Sequence, residues 1–147
     1  MNFFLKSLFL SCLLVSQAKA QLEPDSCMDI NRSVGVSMTD AMVEDFGLQE
    51  SDILLEKTKM TLLEKENVTE KMALFFAQED KKEPGLEHVK LNSLKEIYKE
   101  DNPKNLIIKY EYFNKENKRN ILLGSVVISD AECSLRFNGY IIVKREF

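Results

Sequence analysis

The side chains that could carry out chemistry are few, and they are scattered along the chain. His88 is the one histidine. A Ser-His-Asp or Cys-His arrangement would need it, but no serine stands in a Gly-x-Ser-x-Gly elbow. A zinc site needs a cluster of cysteine and histidine ligands, which one histidine does not supply. We therefore interpret His88 as a surface residue and expect neither a catalytic residue nor a metal site.

The acidic residues and the glycines show no spacing that is typical of a ligand site. The 5 glycines lack a phosphate-binding pattern, and the acids lack the Asp-x-Asp-x-Asp-Gly order of a calcium loop. With 24 acids in the chain, some pair always lies at a separation that suits a glycosidase. An uncharacterised hydrolase with a carboxylate pair therefore stays an alternative, but we predict that the protein is not an enzyme and binds no cofactor.

The N-terminal residues have the layout of a secretory signal peptide. Lys6 supplies a positive charge, residues 7–16 form an apolar run, and Ala18-Lys19-Ala20 is a small-x-small cleavage signal. The apolar run is shorter than the roughly 20 residues of a spanning helix. Residues 1–20 are thus predicted to be a cleaved signal peptide, and residues 21–147 a single globular domain. The Ala-x-Ala ending favours bacterial export to the periplasm, with an extracellular location as the alternative.

Two cysteines remain in the predicted mature chain, because Cys12 falls within the signal peptide. An even pair in an oxidising compartment predicts one disulfide, between Cys27 and Cys133. A redox-active pair is disfavoured because the Cys-x-x-Cys spacing is absent. Asn31 and Asn67 begin Asn-x-Ser/Thr sequons, which matter only if the host glycosylates its exported proteins.

The last third of the chain is predicted to form four strands. Each is rich in β-branched and aromatic residues and is bounded by polar turn residues. The strands span residues 105–113, 120–129, 133–137 and 140–145. Asn138-Gly139, between the last two, suits a two-residue type I′ hairpin because both positions tolerate positive φ.

Three short helices are predicted to precede these strands. The first has Ser37 as its N-cap and ends at Gly47, and the second begins at Thr69. The third spans Asn92–Glu100, where apolar residues recur at helical spacing. Ser51–Glu66 stays open between helix and strand, since neither period fits its apolar residues, and its composition slightly favours helix.

Helices first and strands last predict an α+β fold. We expect N-terminal short helices packed on a C-terminal four-stranded antiparallel β-meander, joined by one disulfide. Phe75 and Phe76 are expected to cover the open face of the sheet. In the first predicted strand, alternation places four residues on the face expected to be buried: Leu106, Ile108, Tyr110 and Tyr112.

Charge restricts the choice of partners. Without the signal peptide the chain has 18 basic and 24 acidic residues, a net charge of −6. Nucleic acids and anionic membranes need a basic surface, so we predict a protein partner, basic in character, and no stable membrane insertion. The predicted partner-binding residues are Tyr110, Tyr112, Lys115, Lys118, Arg119, Asn138 and Tyr140. For the tyrosines, packing at the edge of the core is the alternative, and it is favoured.

A small exported domain without catalytic motifs is expected to act by binding. Its size and charge suit an inhibitor or immunity-type protein that occludes a toxin or a cell-wall hydrolase. The alternative is an envelope, secretion or pilus accessory factor that binds a partner at its sheet edge. Both are analogies from physical properties, because the sequence contains no family motif.

Overall fold

A computed structural model describes residues 24–147 of the chain. The predicted signal peptide, residues 1–20, lies outside these residues. Two 3₁₀ turns, at Glu50–Asp52 and Leu55–Lys57, separate the second helix from the first strand. The helices and strands, in chain order, are α1 (Pro24–Cys27), α2 (Ser33–Phe46), β1 (Lys59–Asn67), α3 (Glu70–Asp80), α4 (Leu91–Ile97), β2 (Lys104–Phe113), β3 (Arg119–Ile128) and β4 (Arg136–Lys144).

The four strands form one antiparallel sheet in the order β1-β2-β3-β4, which confirms the predicted α+β class. β2 and β3 are central, and β1 and β4 are the two edges. The buried face of β2 is the predicted one, with Leu106, Ile108, Tyr110 and Tyr112 fully buried. Met38 and Met42 of α2 pack on this face. The strict alternation of buried and partly exposed residues along β2 follows from the two-residue period of a strand.

The stretch that the sequence left open, Ser51–Glu66, contains most of β1, so its slight preference for helix was misleading. β1 pairs with β2 from Lys59↔Glu111 to Asn67↔Lys104, with a register irregularity between Leu62 and Glu64. Lysine, glutamate and leucine favour helices in isolation, but pairing with a neighbouring strand overrides such weak preferences. The sheet thus takes its first strand from outside the C-terminal meander.

The hairpin predicted at Asn138-Gly139 is wrong, because β4 is one strand that runs through both residues. Gly139 has a φ of 91°. On β3, Gly124 pairs with Tyr140 and Val126 with Phe137, so β4 carries one extra residue at this point. The positive φ that a type I′ turn would use here makes a β-bulge instead.

The helix predictions hold in type and differ at the ends. α2 begins at Ser33 rather than Ser37, and Gly47 ends it as predicted, in the left-handed conformation. Thr69 caps α3, its Oγ1 accepting the Met72 N–H at 3.2 Å. α4 ends at Ile97, three residues before the predicted Glu100.

α3 and α4 cover part of the sheet face opposite α2. Phe76 is buried against Tyr98 and Val127, whereas Phe75 is exposed, so only one of the two phenylalanines covers the sheet. Asp80 at the end of α3 accepts the Tyr98 hydroxyl and forms an ion pair with Arg136 of β4. Burial lowers the pKa of Arg136. These contacts anchor α3 to the start of β4.

The predicted disulfide is present, with the Cα atoms of Cys27 and Cys133 5.3 Å apart. Cys133 lies in the loop between β3 and β4, not in a strand as predicted. The bridge joins residues separated by 106 positions and therefore ties the segment before α2 to the segment that leads into β4.

Candidate functional site

Two of the predicted partner-binding residues, Tyr110 and Tyr112, are core residues. Both are fully buried, and their rings stack with centroids 6.2 Å apart. The Tyr112 hydroxyl lies 3.0 Å from Thr39 Oγ1, and the Tyr110 hydroxyl donates to the Val34 carbonyl at 3.4 Å. Burial raises the pKa of both phenols. Because they lie in the core, a partner cannot reach them. For these two tyrosines the alternative interpretation, core packing, is therefore correct.

Three of the predicted partner-binding residues, Lys115, Lys118 and Arg119, lie at the turn between β2 and β3, and acidic neighbours neutralise two of them. Lys118 forms an ion pair with Glu116 at 2.6 Å, and Arg119 with Glu111 at 3.2 Å. Lys115 is exposed. Arg119 is five residues from Gly124, the partner of Tyr140, which is about 17 Å along a strand. The turn and Tyr140 therefore do not form one site.

Asn138 has a structural role beside the bulge in β4. Its amide nitrogen lies 3.3 Å from Asn105 Oδ1 and 3.1 Å from Ser125 Oγ, donating to both. Its side-chain oxygen, Oδ1, accepts a hydrogen bond from Arg136 Nε at 2.9 Å. These hydrogen bonds join three strands and hold the bulge in place. The side-chain amide of Asn138 is therefore already bonded within the fold.

Of the three tyrosines predicted to bind a partner, Tyr140 is the one that lies at an accessible site. Its hydroxyl donates to Asp45 Oδ2 of α2 at 2.6 Å, and its ring meets Phe46 edge-on. Burial, followed by the hydrogen bond and the charge of Asp45, raises the pKa of Tyr140 to about 12. At neutral pH the phenol is therefore a proton donor that links α2 to β4.

The sequence reasoning missed the residues next to Tyr140. Ile141, Ile142 and Val143 are 63%, 52% and 56% exposed, three consecutive aliphatic side chains on an edge strand. Ile141 pairs with Leu123 and Ile142 with Leu122, so these two neighbours lie on opposite faces of the sheet. The composition of these residues identified a strand. Their exposure indicates a binding surface only because the strand lies at the edge of the sheet.

A cleft opens on each side of this strand. The cleft between α2 and β4 has a volume of about 540 Å³, and its lining includes Ala41, Asp45, Phe137 and Ile142. The cleft on the opposite face measures about 290 Å³, and its lining includes Ile107, Leu123 and Ile141. Gly139, Tyr140 and Ile141 border both clefts. We call Gly139–Val143 with these two clefts the β4 edge site.

His88 is exposed, as predicted. Within residues 24–147, no group of three or more histidine, cysteine or acidic side chains is arranged to hold a metal ion. In the same part of the chain, no helix is both long and apolar enough to span a membrane.

Comparison with known proteins adds no relative. No protein-family model, curated protein or solved structure matches this chain. The fold and the β4 edge site define it as an α+β domain with one exposed, aliphatic sheet edge.

Proposed function

We propose that this protein acts by binding another protein, and that β4 accepts an extended segment of the partner as an added strand. The observation that carries the proposal is the exposure of Ile141, Ile142 and Val143 on an edge strand. An edge strand offers main-chain N–H and C=O groups on its outer side, which an added strand can pair. The aliphatic side chains give such a partner apolar surface to bury.

Apolar side chains are exposed on both faces of β4, which favours an added strand over a partner that contacts one face alone. Alternate side chains of the added strand would lie beside Ile142 on the α2 face and beside Ile141 on the other. Each then reaches one of the two clefts. Completing the burial of an aliphatic side chain that is half exposed contributes about 1 kcal/mol. The backbone pairing would supply affinity, and the clefts would supply selectivity.

An accessory role in the envelope, in secretion or in pilus assembly uses such an edge directly, and the exposed strand favours it. The predicted inhibitor or immunity role would use the same site if the partner were a toxin or a cell-wall hydrolase. Identifying the bound partner and assaying its activity with and without this protein distinguishes the two roles. Loss of activity would support inhibition, and unchanged activity would support the accessory role.

The test compares Ile142→Lys on β4 with Leu63→Lys on β1. Leu63 is the matched control because it is 48% exposed on the other edge of the same sheet. The purified protein serves as bait in a periplasmic extract of its source, and captured proteins are quantified by mass spectrometry. We expect Ile142→Lys to reduce the specific partner at least tenfold and Leu63→Lys to leave it unchanged.

Circular dichroism and thermal unfolding show whether both variants fold. Equal capture by Ile142→Lys and the wild type would overturn the proposal, as would equal losses in the two variants. Capture of no specific partner by the wild type also counts against it.

A further inference from the structure

The α2 side of the β4 edge site is acidic. Helix α2 carries Asp40, Glu44 and Asp45 and no basic residue. Within residues 24–147, none of these three carboxylates has a lysine or arginine nitrogen within 4.0 Å, the limit of an ion pair. Some acids elsewhere are neutralised by ion pairs: Glu70 is paired with two lysines, and Glu111 with Lys109 and Arg119. The carboxylates of α2 thus keep their charge available.

One of these acids, Asp45, lines the cleft between α2 and β4. Ala41 and Asp45 lie one helical turn apart and line it. Glu44 is three residues after Ala41 and therefore lies beside this row. Asp45 Oδ2 accepts the Tyr140 hydroxyl, and no described residue donates to Oδ1. One oxygen of Asp45 is held in position while the other can accept a donor from a partner.

The nearby cation, Arg145, forms no ion pair with Asp45, although its charge acts on Tyr140, whose pKa it lowers against the raising effect of burial. The Arg145 guanidinium lies 4.0 Å from the centroid of the Phe46 ring and donates to the Phe46 carbonyl at 3.3 Å. Phe137 and Ile142 give the cleft an apolar lining next to Asp45. An apolar lining next to a carboxylate suits a lysine or arginine, whose aliphatic stem and charged head need different surroundings.

We infer, on the basis of the function proposed above, that the segment accepted at β4 is basic. It places a lysine or arginine side chain in the cleft between α2 and β4, with its stem on Phe137 and Ile142 and its head at Asp45 and Glu44. The next residue of the segment points to the opposite face, where an aliphatic side chain fits beside Ile141. The net charge of −4 for the whole chain adds long-range attraction for a basic partner.

A displayed library of random nine-residue peptides tests this inference on the disulfide-linked protein. Selected peptides are remade and their affinities are measured by fluorescence polarisation. We expect the selected sequences to share a basic residue next to an aliphatic one. Replacing a selected arginine by citrulline, which keeps the shape and removes the charge, should weaken binding about tenfold.

The matched variants are on one helix. Asp45→Asn combined with Glu44→Gln should lose the preference for arginine over citrulline. Asp40→Asn should keep it, because Asp40 lines a different cavity with Ile30 and Val36. Equal affinity for the two peptides in the wild type, or equal effects of the two sets of variants, would overturn the inference.

The same experiment separates failure of the inference from failure of the proposed function. Peptides that bind the wild type and not Ile142→Lys, yet share no basic residue, overturn the inference and leave binding at β4 supported. If no selected peptide is sensitive to Ile142→Lys, both fail. Light scattering after size-exclusion chromatography tests whether a second copy of the chain binds at β4 instead. A dimer that Ile142→Lys dissociates would show this and would overturn the inference.

Discussion

The two edges of the sheet are built differently. Along β1, four charged residues face solvent, Lys59, Glu64, Lys65 and Glu66, and a register irregularity interrupts the strand at Leu62–Glu64. Charge and irregularity are devices by which proteins prevent unwanted pairing at an edge. β4 is irregular as well, at Asn138–Gly139 and again at Val143, so irregularity does not distinguish the two edges. What distinguishes β4 is its three exposed aliphatic residues in succession, Ile141, Ile142 and Val143.

This difference between the edges indicates at which strand another chain is expected to associate. Both edges offer main-chain hydrogen-bonding groups, but a strand added at β1 would have to approach charged side chains. A strand added at β4 would bury aliphatic ones. Since the sheet, its twist and its solvent are common to both edges, side-chain chemistry decides between them. Three predictions test whether β4 is also held in place by contacts that β1 lacks.

Removing the disulfide has the largest expected effect. The variant Cys27→Ser with Cys133→Ser opens a loop of 106 residues, which in the chain-entropy model lowers the free energy of unfolding by about 4.7 kcal/mol. Urea unfolding measures this loss, and wild type treated with a reductant is the control. Because Cys133 precedes β4, amide hydrogen exchange should accelerate more in β4 than in β1. Equal acceleration would break the comparison.

Asn120→Ala comes next. This buried side chain accepts the Glu146 and Phe147 N–H groups at 2.8 and 3.2 Å and donates to the Phe147 carbonyl at 3.0 Å. Losing these bonds should cost about 2 kcal/mol in the free energy of unfolding and release the residues that follow β4. Asn67→Ala, at the exposed end of β1, should cost less than about 0.5 kcal/mol. Similar costs in urea unfolding would contradict the prediction.

Tyr140→Phe has the smallest expected effect, about 1 kcal/mol, because it removes one hydrogen bond to Asp45. The unfolded phenol titrates near pH 10, whereas in the fold its pKa is about 12. Above pH 10 the unfolded state therefore releases its proton first, and stability, complete below pH 10, falls as the pH rises towards 12.

Urea midpoints at pH 8, 10 and 11 check this dependence. Buried Tyr98, Tyr110 and Tyr112 also have raised pKa values, so some alkaline loss should persist in Tyr140→Phe. The variant should nevertheless lose stability less steeply than the wild type. Identical slopes would show that the link between Tyr140 and α2 contributes nothing to the alkaline loss.

Local patterns predicted a good part of the fold. The alternation in β2, the cap at Thr69 and the end of α2 at Gly47 depend on residues close in sequence, and the structure confirms them. Gly139 misled the prediction because a positive φ serves a turn and a bulge equally well. β1 was ambiguous because its pairing with β2 depends on residues more than 35 positions away.

The candidate site was harder to predict than the fold. Tyr140 was identified, but Tyr110 and Tyr112 belong to the core, because the same aromatic type serves both places. Lys118 and Arg119 looked available in the sequence, but ion pairs with Glu116 and Glu111 neutralise them in the structure. The signal that could have found the site is the run Ile141-Ile142-Val143, once β4 is known to be an edge.

The sequence by itself determined the period of β2, the helix ends at Thr69 and Gly47, and the cysteine pair, because these follow from backbone preferences and from composition. Only the tertiary structure decided which strands lie at the edges and which aliphatic side chains stay exposed. Exposure at Ile142 depends on where β3 and α2 stop covering β4, and those contacts join residues about 20 to 100 positions apart. A local pattern contains no information on such contacts, since they form only when the whole sheet has assembled.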